Sequence, residues 1–385
     1  MPSSPTRPIH LGVDLTDGGA HAGGWRASGS VAPRPFDAAR LAGLVATAQH
    51  GLLDFVVFDD AFTLRPQRGA ALQGRLDAAL VSARLAPRSA GIGLVATVDT
   101  THTEPFHVSK AIATVDHVST GRAAWQVSWS TDAASAAAFG RRPAPDEVDA
   151  LREAEEAVEV VERLWDSWED DAEIRDEATH RFVDRDKLHY VDFEGVHFAV
   201  KGPSITPRSP QGRPPIVVRA DSPLSLDLAG RRADVVRIRA TQRDDARAAR
   251  DEVREIARDA GRDPDALRVL VDLATVVGQD RRSAQERLDL LEELGGDQGG
   301  LPEGALTHVG TAVDLADLLE DWFDAGAADG FVLRPASLDT DLRAIVGGTV
   351  PVLQADGVFR QAYTGTTLRD TLGLPRPASR YAAAQ

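Results

Sequence analysis

Ile92-Gly93-Leu94-Val95-Ala96-Thr97, then the polar run Val98 to His107, then apolar residues at helical spacing over Val108–Val118, then Ala124-Trp125-Gln126-Val127-Ser128: this stretch decides the fold. It reads as strand, loop, helix, strand. The first and last runs are apolar without alternation, as strands buried on both faces of a parallel sheet must be. Working outward, the same unit recurs. Candidate strands are His10–Leu15, Phe55–Phe58, Ile92–Thr97, Ala124–Ser128, Ile216–Arg219, Val235–Ile238, Val269–Val277 and Gly330–Leu333. Helical patterns fall at Phe36–Gln49, Leu76–Leu85, Val108–Val118, Val148–Trp165, Pro223–Arg232, Asp244–Ala260, Ser283–Leu294 and Val313–Ala325. Alternating elements imply a parallel sheet, and eight strands imply closure into a (β/α)8 TIM barrel. The competing architecture is an open doubly wound sheet, which would want a GxGxxG turn after its first strand; none is present.

The chain has 385 residues, and a single barrel domain with insertions reaches that length. Its formal net charge of −16 argues against nucleic acid or an anionic membrane as partner, because phosphate binding needs a basic face. It contains no cysteine, which excludes disulfides, thiolate metal sites and cysteine nucleophiles. The start, Met1 to Pro8, lacks the apolar core of a signal peptide, and no run of about 18 apolar residues occurs. A cytoplasmic protein with no membrane span is the expectation.

Three segments interrupt the repeat. Thr16–Pro35 is a Gly-rich loop after the first strand, Asp166–Arg213 a polar insertion (166–213) before the fifth, and Gly295–Gly310 a Gly-rich loop before the last helix. Loops that follow barrel strands build the active-site face. The extension 341–385 is Pro-punctuated and reads as a strap over the barrel or a partner.

Four strand ends carry chemistry. Phe58-Asp59-Asp60-Ala61 puts acids at the site mouth, or else caps the next helix. Thr97 to His107 is dense in hydroxyls and imidazoles, suited to ring-edge hydrogen bonds and proton transfer, although a plain capped loop explains part of it. No carboxylate triad accompanies its two histidines at helical spacing, so they do not suggest a metal site. Asp116 and His117 read as structural, whereas Gln126 and Trp129 on the next strand point to the mouth. Arg219-Ala220-Asp221-Ser222-Pro223 starts a helix; its free N–H groups could also bind phosphate, against the charge of Asp221. The acidic run Trp165 to Asp171 reads as solvated surface. No GxSxG elbow, Walker loop or HExxH occurs.

Several stretches also carry a family resemblance. They are Gly24-Trp25-Arg26, Asp60, Gly93 to Thr97, Glu104-Pro105-Phe106, Leu164 to Asp171, Gly202-Pro203, Pro207 to Gly212 and Trp322 to Phe331. Together they resemble the bacterial-luciferase-like flavin-dependent monooxygenases, in the branch of nitrilotriacetate monooxygenase, pristinamycin synthase and dibenzothiophene-sulfone monooxygenase. The resemblance spans His10 to Arg376. It implies a luciferase-like TIM barrel that takes reduced FMN from a separate flavin reductase, uses O2 and oxygenates a small organic substrate, as a homodimer or homotetramer. Carried over residue by residue, it assigns cofactor contacts to Asp60, Thr97 and Ser222, with Gln126 standing where the family has Asn. Trp25 and Trp129 would wall the substrate pocket. His102 and His107 would take the catalytic, proton-transferring roles. The chain departs from the family pattern at the phosphate loop, where a glycine gives way to Ala220 and Arg219 and Asp221 are gained. It departs again at Glu147 to Leu151, where a His and a Tyr that contact flavin are absent. Arg219 could compensate by a bidentate phosphate pair. The same resemblance admits a deazaflavin-dependent hydride-transfer enzyme, or a non-catalytic paralogue that binds a ligand or partner subunit.

Overall fold

The computed structural model describes residues 8–27, 34–64 and 72–382. All eight expected strands form: β1 His10–Asp14, β2 Phe55–Phe58, β3 Gly93–Asp99, β4 Ala123–Ser128, β5 Ile216–Ala220, β6 Val235–Ile238, β7 Arg268–Gly278 and β8 Gly330–Pro335. Each pairs in parallel with its neighbour, β8 pairs with β1, and β6 pairs with β7, so the sheet closes as an eight-stranded barrel. The expected helices lie between them, for example Pro105–Ser119 after β3, Glu147–Asp166 before β5 and Pro223–Arg232 after β5.

Parity along each strand divides the core. Val56, Phe58, Leu94, Ala96, Trp125 and Val236 join the outer cluster, packed on the helices. Phe55, Val57, Val95, Ala124, Val217, Val235, Leu270 and Val332 form a separate cluster inside the barrel. Gly12 is required where β1 crosses this interior: a Cβ there would lie 2.3 Å from the ring of Phe55, which is itself buried. Gly12→Ala should therefore cost about 1–3 kcal/mol by overpacking, read as a lower urea midpoint with an unchanged slope.

Two expectations are corrected. Gly295–Gly310 is not wholly loop, because Leu306–Thr311 is a strand. β7 is eleven residues long and β6 only four. β6 covers Arg268 to Val271, and the added strand takes Leu273 to Gly278 above it. Second, the Trp165 to Asp171 run is not a solvated surface. Trp165, Asp166, Ser167 and Trp168 are buried, and the Asp166 carboxylate receives Arg208, Arg213 and Arg380. Its partners come from distant parts of the chain, so local charge adjacency could not reveal them. The insertion itself carries two short hairpins, Glu173–Asp176 with Arg181–Val183 and Phe193–Glu194 with Ala199–Val200.

The extension, beyond a run of helical turns from Leu338 to Ala355, is a strap across the N-terminal end of the barrel. Its Leu368, Leu372 and Leu374 complete the interior cluster from below. Arg360 donates to the buried Asp54 at 2.6 Å, Tyr363 to the Leu53 carbonyl at 3.0 Å, and Arg268 to the Leu372 carbonyl at 2.9 Å. Residues 383–385 of the expected extension and 28–33 of the first loop lie outside the described residues.

Candidate active site

Above its apolar layer the barrel interior turns polar. Arg237 is fully buried. Its guanidinium donates to both oxygens of Asp272, at 2.8 and 2.9 Å, to Gln126 Oε1 at 2.7 Å and to Asp14 at 3.3 Å. Gln126 passes the chain on, its Nε2 donating to Thr97 Oγ1 at 2.8 Å. Arg334 stands 3.9 Å from Asp14 and 4.0 Å from Asp272. Burial alone would raise the Asp14 pKa; Arg237 and Arg334 overcome it and hold the carboxyl at about 2. Burial works against the charged form of Arg237 too, yet Asp272 and Asp14 raise its pKa. One step further out, Arg75 donates to both oxygens of Asp17 at 3.0 Å and lies 3.6 Å from Asp59.

A cavity opens over the C-terminal ends of β2, β4 and β5, the face where barrel enzymes carry their chemistry. It is lined by Asp59, Gln126, Val127, Ser128, Trp129, Glu147, Arg219, Asp221, Ser222 and Ser225. Gln126, Trp129 and Ser222 share this cavity, while Thr97, bonded to Gln126, is buried. Trp129 packs against the core and leaves a flat wall on the cavity.

Asp60 is corrected. Parity carries the inward series Phe55, Val57 on to Asp59, so Asp60 points outward. Its carboxylate accepts the Ala61 amide at 2.7 Å and the Ala78 amide at 3.2 Å, the latter opening the next helix. Burial raises its pKa and those amide bonds oppose the rise. The capping alternative holds for Asp60, and Asp59 is the acid at the mouth. His107 is corrected as well: it is exposed in the first turn of Pro105–Ser119 and does not line the cavity that holds Gln126.

His102 is buried, stacked on Phe139 at 4.6 Å between ring centroids and edge-on to Phe62 at 6.0 Å. Its Nε2 has no hydrogen-bond partner among the described residues. Asp99 holds this loop, accepting the Thr101 and His102 amides at 2.9 and 3.2 Å and the Ser130 hydroxyl at 2.6 Å. Trp25 is half-buried on the short helix Gly24–Ala27 under the Arg26 guanidinium, 5.0 Å from its ring. It does not line the cavity that holds Trp129.

The fifth strand end differs most from expectation. Ser222 caps Pro223–Arg232, and a capping box with Ser225 uses both residues' amides. The Ser222 hydroxyl donates to Glu147 at 2.6 Å. Arg219 is committed to Asp221, Nε to Oδ2 2.8 Å, and Arg239 approaches the same carboxylate at 3.1 Å. Arg219 therefore does not stand as a free phosphate clamp. A planar heterocycle fits the Trp129 and Gln126 side of the cavity; a phosphate does not fit the Ser222 side, where two carboxylates already stand.

Fold and site together define an enzyme built on the strand ends of a parallel barrel. A profile of the luciferase-like monooxygenases matches residues 17–328. The N-acetyl-S-(2-succino)cysteine monooxygenase of Bacillus subtilis (strain 168) is 30% identical over 99% of this chain and 100% of its own. Component A of the nitrilotriacetate monooxygenase of Aminobacter aminovorans is 32% identical over 96% and 97%. The EDTA monooxygenase of Chelativorans sp. BNC1 superposes with a TM-score of 0.88 at 25% identity, covering 96% of this chain and 99% of that one. The chain belongs to the luciferase-like monooxygenase family.

Proposed function

We propose that this protein oxygenates a small organic substrate with O2 and a reduced flavin delivered by a separate flavin reductase. The observation that carries the reading is the cavity over β2, β4 and β5, where a flat indole and the Gln126 amide, bonded to the buried Thr97, face one space. When bound, the flavin supplies the reaction with O2. This chain's residues supply the rest: Trp129 and Val127 shield the cavity, and the Arg237 network fixes the Gln126 amide. His102 is the proposed proton-handling group, its unpaired Nε2 held by two aromatic rings. The substrate side is proposed at the neighbouring mouth by Asp17, Asp59, Arg75 and Arg334. No helix among the described residues is long and apolar enough to cross a membrane.

The deazaflavin alternative gains nothing from the structure. The acids beside Ser222 oppose a more anionic cofactor still more strongly.

The test is anaerobic calorimetry of the purified protein with photoreduced FMN and photoreduced riboflavin. Binding of either supports the reading; no heat from either at high micromolar concentration sinks it. Trp129→Ala should weaken whichever flavin binds by about tenfold, the scale of one lost aromatic stacking contact.

A further inference from the structure

The Ser222 end of the cavity opens the helix Pro223–Arg232. A helix N-terminus facing a ligand cavity is ordinarily a seat for an anion, because its amides and dipole favour negative charge. Here the seat is taken by the protein itself. Glu147 accepts the Ser222 hydroxyl at 2.6 Å. The Ser222 amide donates to Ser225 Oγ at 2.9 Å, and the Ser225 amide to Ser222 Oγ at 3.3 Å. Pro223 has no amide to offer. Asp221 adds a second carboxylate on the cavity wall, and both nearby cations, Arg219 and Arg239, are bound to it.

The charges at this end therefore balance before any ligand arrives. A phosphate dianion would bring two negative charges beside Glu147, with no free cation to meet them among the described residues that line the cavity. A neutral hydroxyl finds the opposite situation: the Glu147 carboxylate can accept from it, and Ser222 can re-pair with it.

From this we infer that the cavity takes a flavin whose side chain ends in a hydroxyl, riboflavin or a riboflavin-like isoalloxazine, in preference to FMN. The inference rests on the flavin reading above and narrows it. Glu147 is the selecting residue, acting at the far end of the ligand and not at its ring.

The experiment compares photoreduced riboflavin and photoreduced FMN by anaerobic calorimetry on the full chain, parent and Glu147→Gln. The acids are solvent-facing, so screening limits the effect. Riboflavin should bind about tenfold tighter than FMN, and Glu147→Gln should close most of that gap by strengthening FMN. The parent comparison needs no variant, so misfolding of the variant would not rescue the idea. FMN bound as tightly as riboflavin overturns the inference and leaves the flavin reading standing. A gap that Glu147→Gln does not narrow overturns the assignment to Glu147. Absence of binding by both flavins overturns the flavin reading and the inference with it.

Discussion

Arg237→Met should lower the unfolding free energy by about 3–5 kcal/mol, among the largest losses expected of a single substitution in this chain. The methionine fills much of the volume but leaves Asp272 and Asp14 buried, with Arg334 3.9 Å or more from each. It also frees Gln126 Oε1, so the defect reaches the cavity floor. The double replacement Arg237→Met with Asp272→Leu should recover part of the loss, since removing both charges spares the cost of one stranded charge. Urea unfolding of the three proteins checks this.

The same network sets an acid limit. Asp14 is held at about 2 against an ordinary 3.8. A carboxylate whose folded pKa is depressed contributes stability that is present above the unfolded value and lost as pH falls through the folded one. Its share, roughly 2 kcal/mol, should disappear between about pH 4 and pH 2. In Arg237→Met that acid arm should begin at higher pH, because the cation that holds Asp14 down is gone.

Leu368→Ala and Leu372→Ala should each cost about 2–5 kcal/mol, and the pair together should leave little folded protein. Both side chains are fully buried against the strand interior, and Leu368 lies so close to Gly93 that a Cβ there would be 2.5 Å away. A matched control is Val196→Ala: Val196 is 88% exposed, and its truncation should change almost nothing. Thermal midpoints separate the two cases. If Leu368→Ala behaves like the control, the strap is not part of the core.

Most of the barrel was legible because a strand buried on both faces writes itself as an unbroken Val/Ile run, and the helices that follow keep a different period. Arg237 and Asp272 were in plain view as single charges inside such runs, Val235-Val236-Arg237-Ile238 and Leu270-Val271-Asp272-Leu273. Their inward parity matches that of Val235 and Leu270 in the interior cluster. Counting parity would have marked both, and would have chosen Asp59 over Asp60. What could not be read was pairing across the chain. Glu147 meets Ser222 across 75 residues, and Asp166 meets Arg380 across 214. Charge and spacing along a sequence hold no record of such meetings, which only closure of the barrel creates.

The strap has a further consequence, for the order in which the molecule can be made. The seam between β1 and β8 and the three leucines beneath it come from opposite ends of the chain. During synthesis, most strands emerge well before the residues that seal their lower mouth. Until Leu374 has cleared the ribosome, the growing chain holds an apolar bore open at one end, the kind of exposed surface that invites aggregation. A truncation that removes Leu368, Leu372 and Leu374 therefore leaves that bore unsealed, and its first cost falls on yield.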